Sequence, residues 1–133
     1  MPSRVLCIDA SALADLLLDR PRAPAVAQVL AGVDVVVAPD LVNAEVLQVI
    51  RRLFRMGEIT DDHAVKAVAG LEDAPLQRIP TTGMLREVWS LRHNVAPDDA
   101  CYVVAARALA APLLTADLRL ARAPDLGVPV ITV

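Results

Sequence analysis

The stretch from Pro97 to Asp117, PDDACYVVAARALAAPLLTAD, constrains this chain more than any other. Asp98 and Asp99 follow Pro97 at a helix start, where unpaired backbone N–H groups and the helix dipole favour carboxylates. From Cys101 to Ala111 the only charge is Arg107, which predicts a helix buried on most sides. Pro112 ends it. Leu113, Leu114 and Thr115 then fit a strand of a parallel sheet covered on both faces, with Asp117 just past its end. In open α/β sheets ligands collect outside the carboxyl ends of the strands, so an acid there is placed for chemistry more than for packing.

The rest of the chain reads as the same alternation. Arg4 to Ile8 (RVLCI) is a strand closed by Asp9, and a helix runs from Ala10-Ser11 through Leu18. Asp9 suits two roles equally: N-cap of that helix, or a second strand-end acid. Asp19, Pro21 and Pro24 mark a loop before a helix from Ala25 to Ala31, stopped at Gly32. Asp34 to Ala38 is the second strand. Leu41 to Met56 is a long helix with Val42, Val46, Val49, Ile50 and Leu53 on its core side and Glu45, Gln48, Arg52 and Arg55 stacked on another. Glu45 stands close to the carboxyl end of a strand, which favours a functional role over a merely solvated one.

A further helix starts at Thr60 or Asp61, with Ala64, Val65, Val68 and Leu71 expected inside and His63 on the solvated side. Leu76 to Ile79 is a short strand. Pro80-Thr81-Thr82 then caps a helix carrying Met84, Leu85, Val88, Trp89 and Leu91. His93, in the following loop, has no neighbouring base or nucleophile and reads as structural. Leu118 to Ala123 forms a last helix and Val128 to Thr132 a last strand, which Pro129 assigns to a sheet edge. The fold class is α/β: one domain over residues 1–133, a central mostly parallel sheet flanked by helices on both faces.

Composition limits the chemistry. The chain is 56% hydrophobic but only 2% aromatic, so Ala, Val and Leu must build the core by dense helix-on-sheet packing. Its net charge of −3 attracts no polyanion globally, and a nucleic-acid site would have to be made locally by arginines or metal ions. Cys7 and Cys101 fall in predicted buried elements outside any C-x-x-C pattern and read as reduced thiols of a cytoplasmic protein. With no signal-peptide core and no run of ~18 apolar residues, the expectation is a soluble chain without membrane association.

Asp9, Glu45, Asp99 and Asp117 come from four segments that converge on one sheet edge. Four carboxylates held together repel unless a divalent cation neutralises them, and all-oxygen ligands select hard ions such as Mg²⁺ or Mn²⁺. A carboxylate-bound ion keeps waters, one of which can be activated against a phosphodiester. One ion or two would serve. Other chemistries lack their residues: there is no glycine-rich nucleotide loop, Ser11 stands where a phosphoaspartyl hydrolase needs its second acid, and two scattered histidines disfavour zinc.

At these residues the chain resembles the PIN-domain proteins, specifically the VapC toxins of VapBC toxin–antitoxin systems. The resemblance rests on Ile8-Asp9-Ala10-Ser11, Asn43-Ala44-Glu45-Val46, Asp99-Ala100-Cys101-Tyr102 and Leu113-Leu114-Thr115-Ala116-Asp117, in this order over the whole chain. It implies a Mg²⁺- or Mn²⁺-dependent endoribonuclease acting on tRNA or other structured RNA. It also implies a homodimer, restrained by a VapB-type antitoxin and meeting operator DNA only through it. By this likeness Asp9, Glu45, Asp99 and Asp117 match the acidic metal ligands, and Ser11 and Thr115 match hydroxyl positions beside the substrate. Apart from the likeness, Arg52 on the polar face of its helix is a substrate-binding candidate. The position before the third acid, often aromatic in relatives, is Asp98 here. Of the adjacent pair, Asp98 is expected to cap the helix and Asp99, as its first residue, to face the metal. A different class of function is a PIN module without catalysis, working only in an autoregulatory DNA-bound antitoxin complex. A flap-type DNA nuclease would share the acids but want a DNA-clamping insertion.

Overall fold

The structure is a computed structural model that describes residues 2–133. Four apolar residues form strand β1 (Val5–Ile8), and Asp9 turns the chain into helix α1 (Ala10–Leu17), followed by α2 (Ala23–Leu30). The pattern repeats as β2 (Val35–Pro39), α3 (Val42–Arg55), α4 (Asp61–Asp73) and β3 (Leu76–Ile79). A 3-10 turn at Thr82–Met84 leads into α5 (Leu85–Ser90) and α6 (Pro97–Ala108); β4 (Leu113–Thr115), α7 (Leu118–Arg122) and β5 (Val130–Thr132) complete the chain. All strand pairs are parallel, in the order β3-β2-β1-β4-β5.

That order positions the site. From β1 the chain builds outward to β2 and β3, then crosses back to lay β4 on the other side of β1. The crevice between the carboxyl ends of β1 and β4 is therefore the point where the winding reverses, the usual ligand position of an open α/β sheet. Right-handed crossovers put α1 to α4 on one face, where α1 packs on α2 and α3 and α3 on α4, and α5 with α6 on the other.

The core runs through the sheet and is built mainly of Leu, Ile, Val and Ala, joined by Cys7, Cys101 and Met84, with Tyr102 its one large aromatic. Every residue of α6 from Ala100 to Ala106 is buried, as its apolar run predicted. Small Ala side chains let this helix lie close on β1, β2 and β4. Among the described residues no helix is long and apolar enough to cross a membrane.

Several sequence expectations need correction. Helix α2 begins at Ala23, two residues before the expected Ala25, because Pro24 sits in its first turn, where a missing N–H costs nothing. The buried residues of α4 are Ala64, Ala67 and Leu71, while Val65 and Val68 face outward. Close approach decides this: α4 comes near enough to α1 that a Cβ on Gly70 would stand 3.1 Å from Leu17. Leu85 and Trp89 are exposed, and α5 packs through Val88 with flanking Met84 and Leu91 instead. Strand β5 starts at Val130 rather than Val128, but it is the sheet edge that Pro129 indicated, with the Pro129 carbonyl accepting from Leu113 N–H at 2.9 Å. Thr60 caps α4 through its hydroxyl, and His63 Nε2 donates to the Leu18 carbonyl at 2.8 Å, so this histidine ties α4 to the end of α1.

Candidate active site

Asp9 is both things the sequence left open. It caps α1, accepting from Ala12 N–H at 3.0 Å, and it stands at the end of β1 with its N–H bonded to Leu114 O of β4 at 3.0 Å. It is 5% exposed. Ser11 Oγ donates to Asp9 Oδ1 at 2.7 Å, and the Thr115 hydroxyl donates to Oδ2. Each hydroxyl also accepts from the β4–α7 turn, Ser11 from Ala116 N–H at 3.0 Å and Thr115 from Asp117 N–H at 2.9 Å. Two short side chains thus lock one acid and orient the backbone of another. Thr115 is fully buried, which removes it as a substrate contact: its hydroxyl is used up inside the protein. Ser11 remains on the cleft wall.

Asp9, Glu45, Asp99 and Asp117 line one cleft of about 270 Å³, together with Ser11, Gln48, Arg52 and Tyr102. The expected helix start is off. Helix α6 begins at Pro97, its N-cap is Ala96, and no side chain caps it, so Asp98 is not the cap and Asp99 lies two residues deeper in the first turn than expected. The reason is that proline with its φ preset suits the first helical position, which moves the cap back to Ala96. Asp99 nevertheless faces the cleft, while Asp98 is exposed and lies outside its lining.

The charges are only partly balanced. Burial pushes the Asp99 carboxyl up to about 6, helped by Asp98 and Asp117 and opposed by Arg119. Asp9 is raised mainly by burial, against its three hydrogen bonds, with Asp117 adding to the rise. Glu45 is raised by burial and by Asp98 and Asp99, while a hydrogen bond from Tyr102 works the other way. Asp117 is the exception. Partial burial raises it, but the Arg119 guanidinium at 3.1 Å and the Arg119 N–H at 2.9 Å outweigh this and lower it.

Such a donor set fits a hard divalent cation. All ligating atoms are oxygen, the carboxylates raise one another's proton affinity, and the cleft has room for an ion with waters. Among the described residues no three His, Cys, Asp or Glu side chains already stand around a common point. Mg²⁺ tolerates this, since it commonly takes one or two carboxylates and keeps water for the remaining positions.

Two residues of the site escaped sequence reading. Arg119 pairs with Asp117 at the cleft's edge; its position two residues beyond a strand-end acid was the available signal. Tyr102 donates to Glu45 Oε1 at 2.5 Å. A single hydroxyl in a buried apolar helix requires a partner, which was its signal.

The model of the PIN domain matches residues 6–126. The chain is 40% identical over 120 residues to Ribonuclease VapC1 of Mycobacterium tuberculosis, covering 90% of both chains. It is 33% identical over 118 residues to Ribonuclease VapC12 of the same species, covering 89% of this chain and 91% of the relative. Among solved structures it is similar to M. tuberculosis VapC20, described as a sarcin-ricin loop cleaving toxin, with TM-score 0.67, 19% identity and coverage of 87% and 92%. It is also similar to VapBC2 from Rickettsia felis bound to a DNA fragment from its promoter, with TM-score 0.62, 14% identity and coverage of 96% and 98%. At these identities the structural likeness speaks for the fold.

Proposed function

This chain belongs to the PIN-domain family, in its VapC branch, and we propose that it is the toxin of a toxin–antitoxin pair, an endoribonuclease dependent on Mg²⁺ or Mn²⁺. One observation carries the reading: four acids from β1, α3, α6 and the end of β4 line a single cleft at the sheet's switch point. The names of the curated relatives, all ribonucleases, support RNA as the substrate.

Asp9, Asp99, Asp117 and Glu45 would hold the cation, one or two of them directly and the others through its waters. When bound, it supplies a water of lowered pKa and stabilises charge on the phosphodiester oxygens. The protein's part is to fix Asp9 and to oppose its protonation through the hydrogen bonds from Ser11, Thr115 and Ala12 N–H. Arg52, exposed on the cleft wall, and Arg119 at its edge offer guanidinium groups to the flanking phosphates of tRNA or another structured RNA. This local positive charge is what a chain of net charge −3 needs to meet a polyanion.

The partner is a VapB-type antitoxin. An acidic cleft is a receptor for an inserted Arg, which forms bidentate pairs with carboxylates, and we place that contact near Asp9 and Asp99. The exposed side chains Leu47, Phe54, Val65 and Val68 line an apolar groove between α3 and α4 suited to an amphipathic helix. The protein acts as a cytoplasmic homodimer and reaches operator DNA only through the antitoxin. Induction without the antitoxin should arrest growth, Glu45→Gln should abolish the arrest, and mapping of new 5′ ends should identify the RNA. Equal arrest by the wild type and Glu45→Gln would overturn the enzyme in favour of a non-catalytic module.

A further inference from the structure

The cleft's acids are held very differently. Asp9 is locked by two hydroxyls and a backbone N–H, and Asp117 by Arg119. Glu45 has the longest side chain of the four and no such cage, yet Asp98 and Asp99 both repel it. What opposes them is one neutral donor. Tyr102 reaches across from α6, and its phenol donates to Glu45 Oε1 at 2.5 Å over a separation of 57 residues. The ring is 2% exposed and so cannot swing away to solvent. Among the described residues Tyr102 is the one hydroxyl or amide that donates to the Glu45 carboxylate, while the Asp98 carboxyl lies close enough to act against it.

We propose that Tyr102 is the positioning residue for Glu45: its buried phenol fixes the carboxylate through Oε1 and leaves Oε2 as the oxygen free to take a cation or its water. The assignment rests on the metal-dependent reading of the cleft. Helix α6 then serves the site twice, with Asp99 entering the cleft and Tyr102, three residues on and so on the same side of the helix, holding an acid delivered by α3. An ionised phenol would repel Glu45; a neutral one steadies it without competing for the cation.

The chain has one tyrosine, so [¹³Cζ]tyrosine labelling yields a single resonance that reports this hydrogen bond in metal-free protein. Glu45→Gln should shift it, and an unchanged resonance would overturn the proposal. Tyr102→Phe keeps the ring and removes only the hydroxyl. It should weaken Mn²⁺ binding, measured by calorimetry, and lower kcat, each by the ~10–100-fold typical of losing support behind a metal ligand, with KM for RNA unchanged because the side chain is buried. A partly unfolded sample would reduce the number of sites per chain and leave the Mn²⁺ dissociation constant alone. Wild-type values for both Mn²⁺ affinity and kcat would refute Tyr102 as a positioning residue while leaving the ribonuclease reading intact. Failure of the wild type itself to bind Mn²⁺ or cut RNA would instead overturn that reading, and the tyrosine resonance alone would then decide whether the phenol holds Glu45.

Discussion

Replacing Asp99 with Asn should stabilise the metal-free protein at pH 8 while abolishing its use of metal. The carboxyl titrates at about 6 against an ordinary 3.8, so the folded state binds its proton more tightly than the unfolded chain does. Stability from this group is therefore highest below about pH 4 and is lost as the pH rises through 6. Complete burial would make the loss about 3 kcal/mol, but Asp99 is half exposed and screening reduces it to about 1.5 kcal/mol. A carboxylate in the first turn of α6 also gains about 0.5 kcal/mol from the helix dipole, which Asn forfeits. The cost of the half-buried charge beside its acidic neighbours wins by about 1 kcal/mol, or roughly 3 °C in Tm for a chain of this size. Thermal melts in EDTA should show Asp99→Asn above the wild type at pH 8 and level with it or slightly below at pH 4.5. Mg²⁺ should reverse the order at pH 8, since saturation at 100 times Kd adds about 2.7 kcal/mol to the form that binds it. A variant that melts below the wild type in EDTA at pH 8 would show that burial and the neighbouring acids do not destabilise the Asp99 carboxylate.

Chelation should abolish RNA cleavage, with Mg²⁺ or Mn²⁺ restoring it; full cleavage in EDTA by rigorously purified protein would exclude metal-ion catalysis. Thr115→Val keeps the shape but removes the donor to Asp9 and the acceptor for Asp117 N–H, so cleavage should fall ~10–100-fold and urea melts should register a loss of about 1–3 kcal/mol. Asp98→Asn removes a charge that raises both Glu45 and Asp99, so the acid limb of the pH–rate profile should move to lower pH with most of the plateau rate retained. An unmoved limb would place Asp98 out of electrostatic reach of the site.

Much of this was legible locally. Ile8-Asp9 and Leu114-Thr115 announce strands whose ends carry or precede acids, and the apolar run after Asp99 announces a buried helix. The errors share a cause. The helix start at Pro97 turned on competition between proline preference and aspartate capping, which the local sequence does not rank. In α4 hydropathy pointed to Val65 and Val68, but the neighbouring helix lies so close that small Ala67 is the residue inside.

By itself, the sequence determined the alternation of strands and helices, the acids at their ends, and hence the hard-cation chemistry that such acids permit. Only the tertiary structure decided which atoms hold which. Asp9 is fixed by Thr115 from 106 residues away, Ser11 by Ala116 from 105, and Glu45 by Tyr102 from 57. No local preference encodes these bonds. They exist because crossing back over β1 lays β4 beside it, which brings the ends of distant segments within hydrogen-bonding distance at the one point where the sheet's winding reverses.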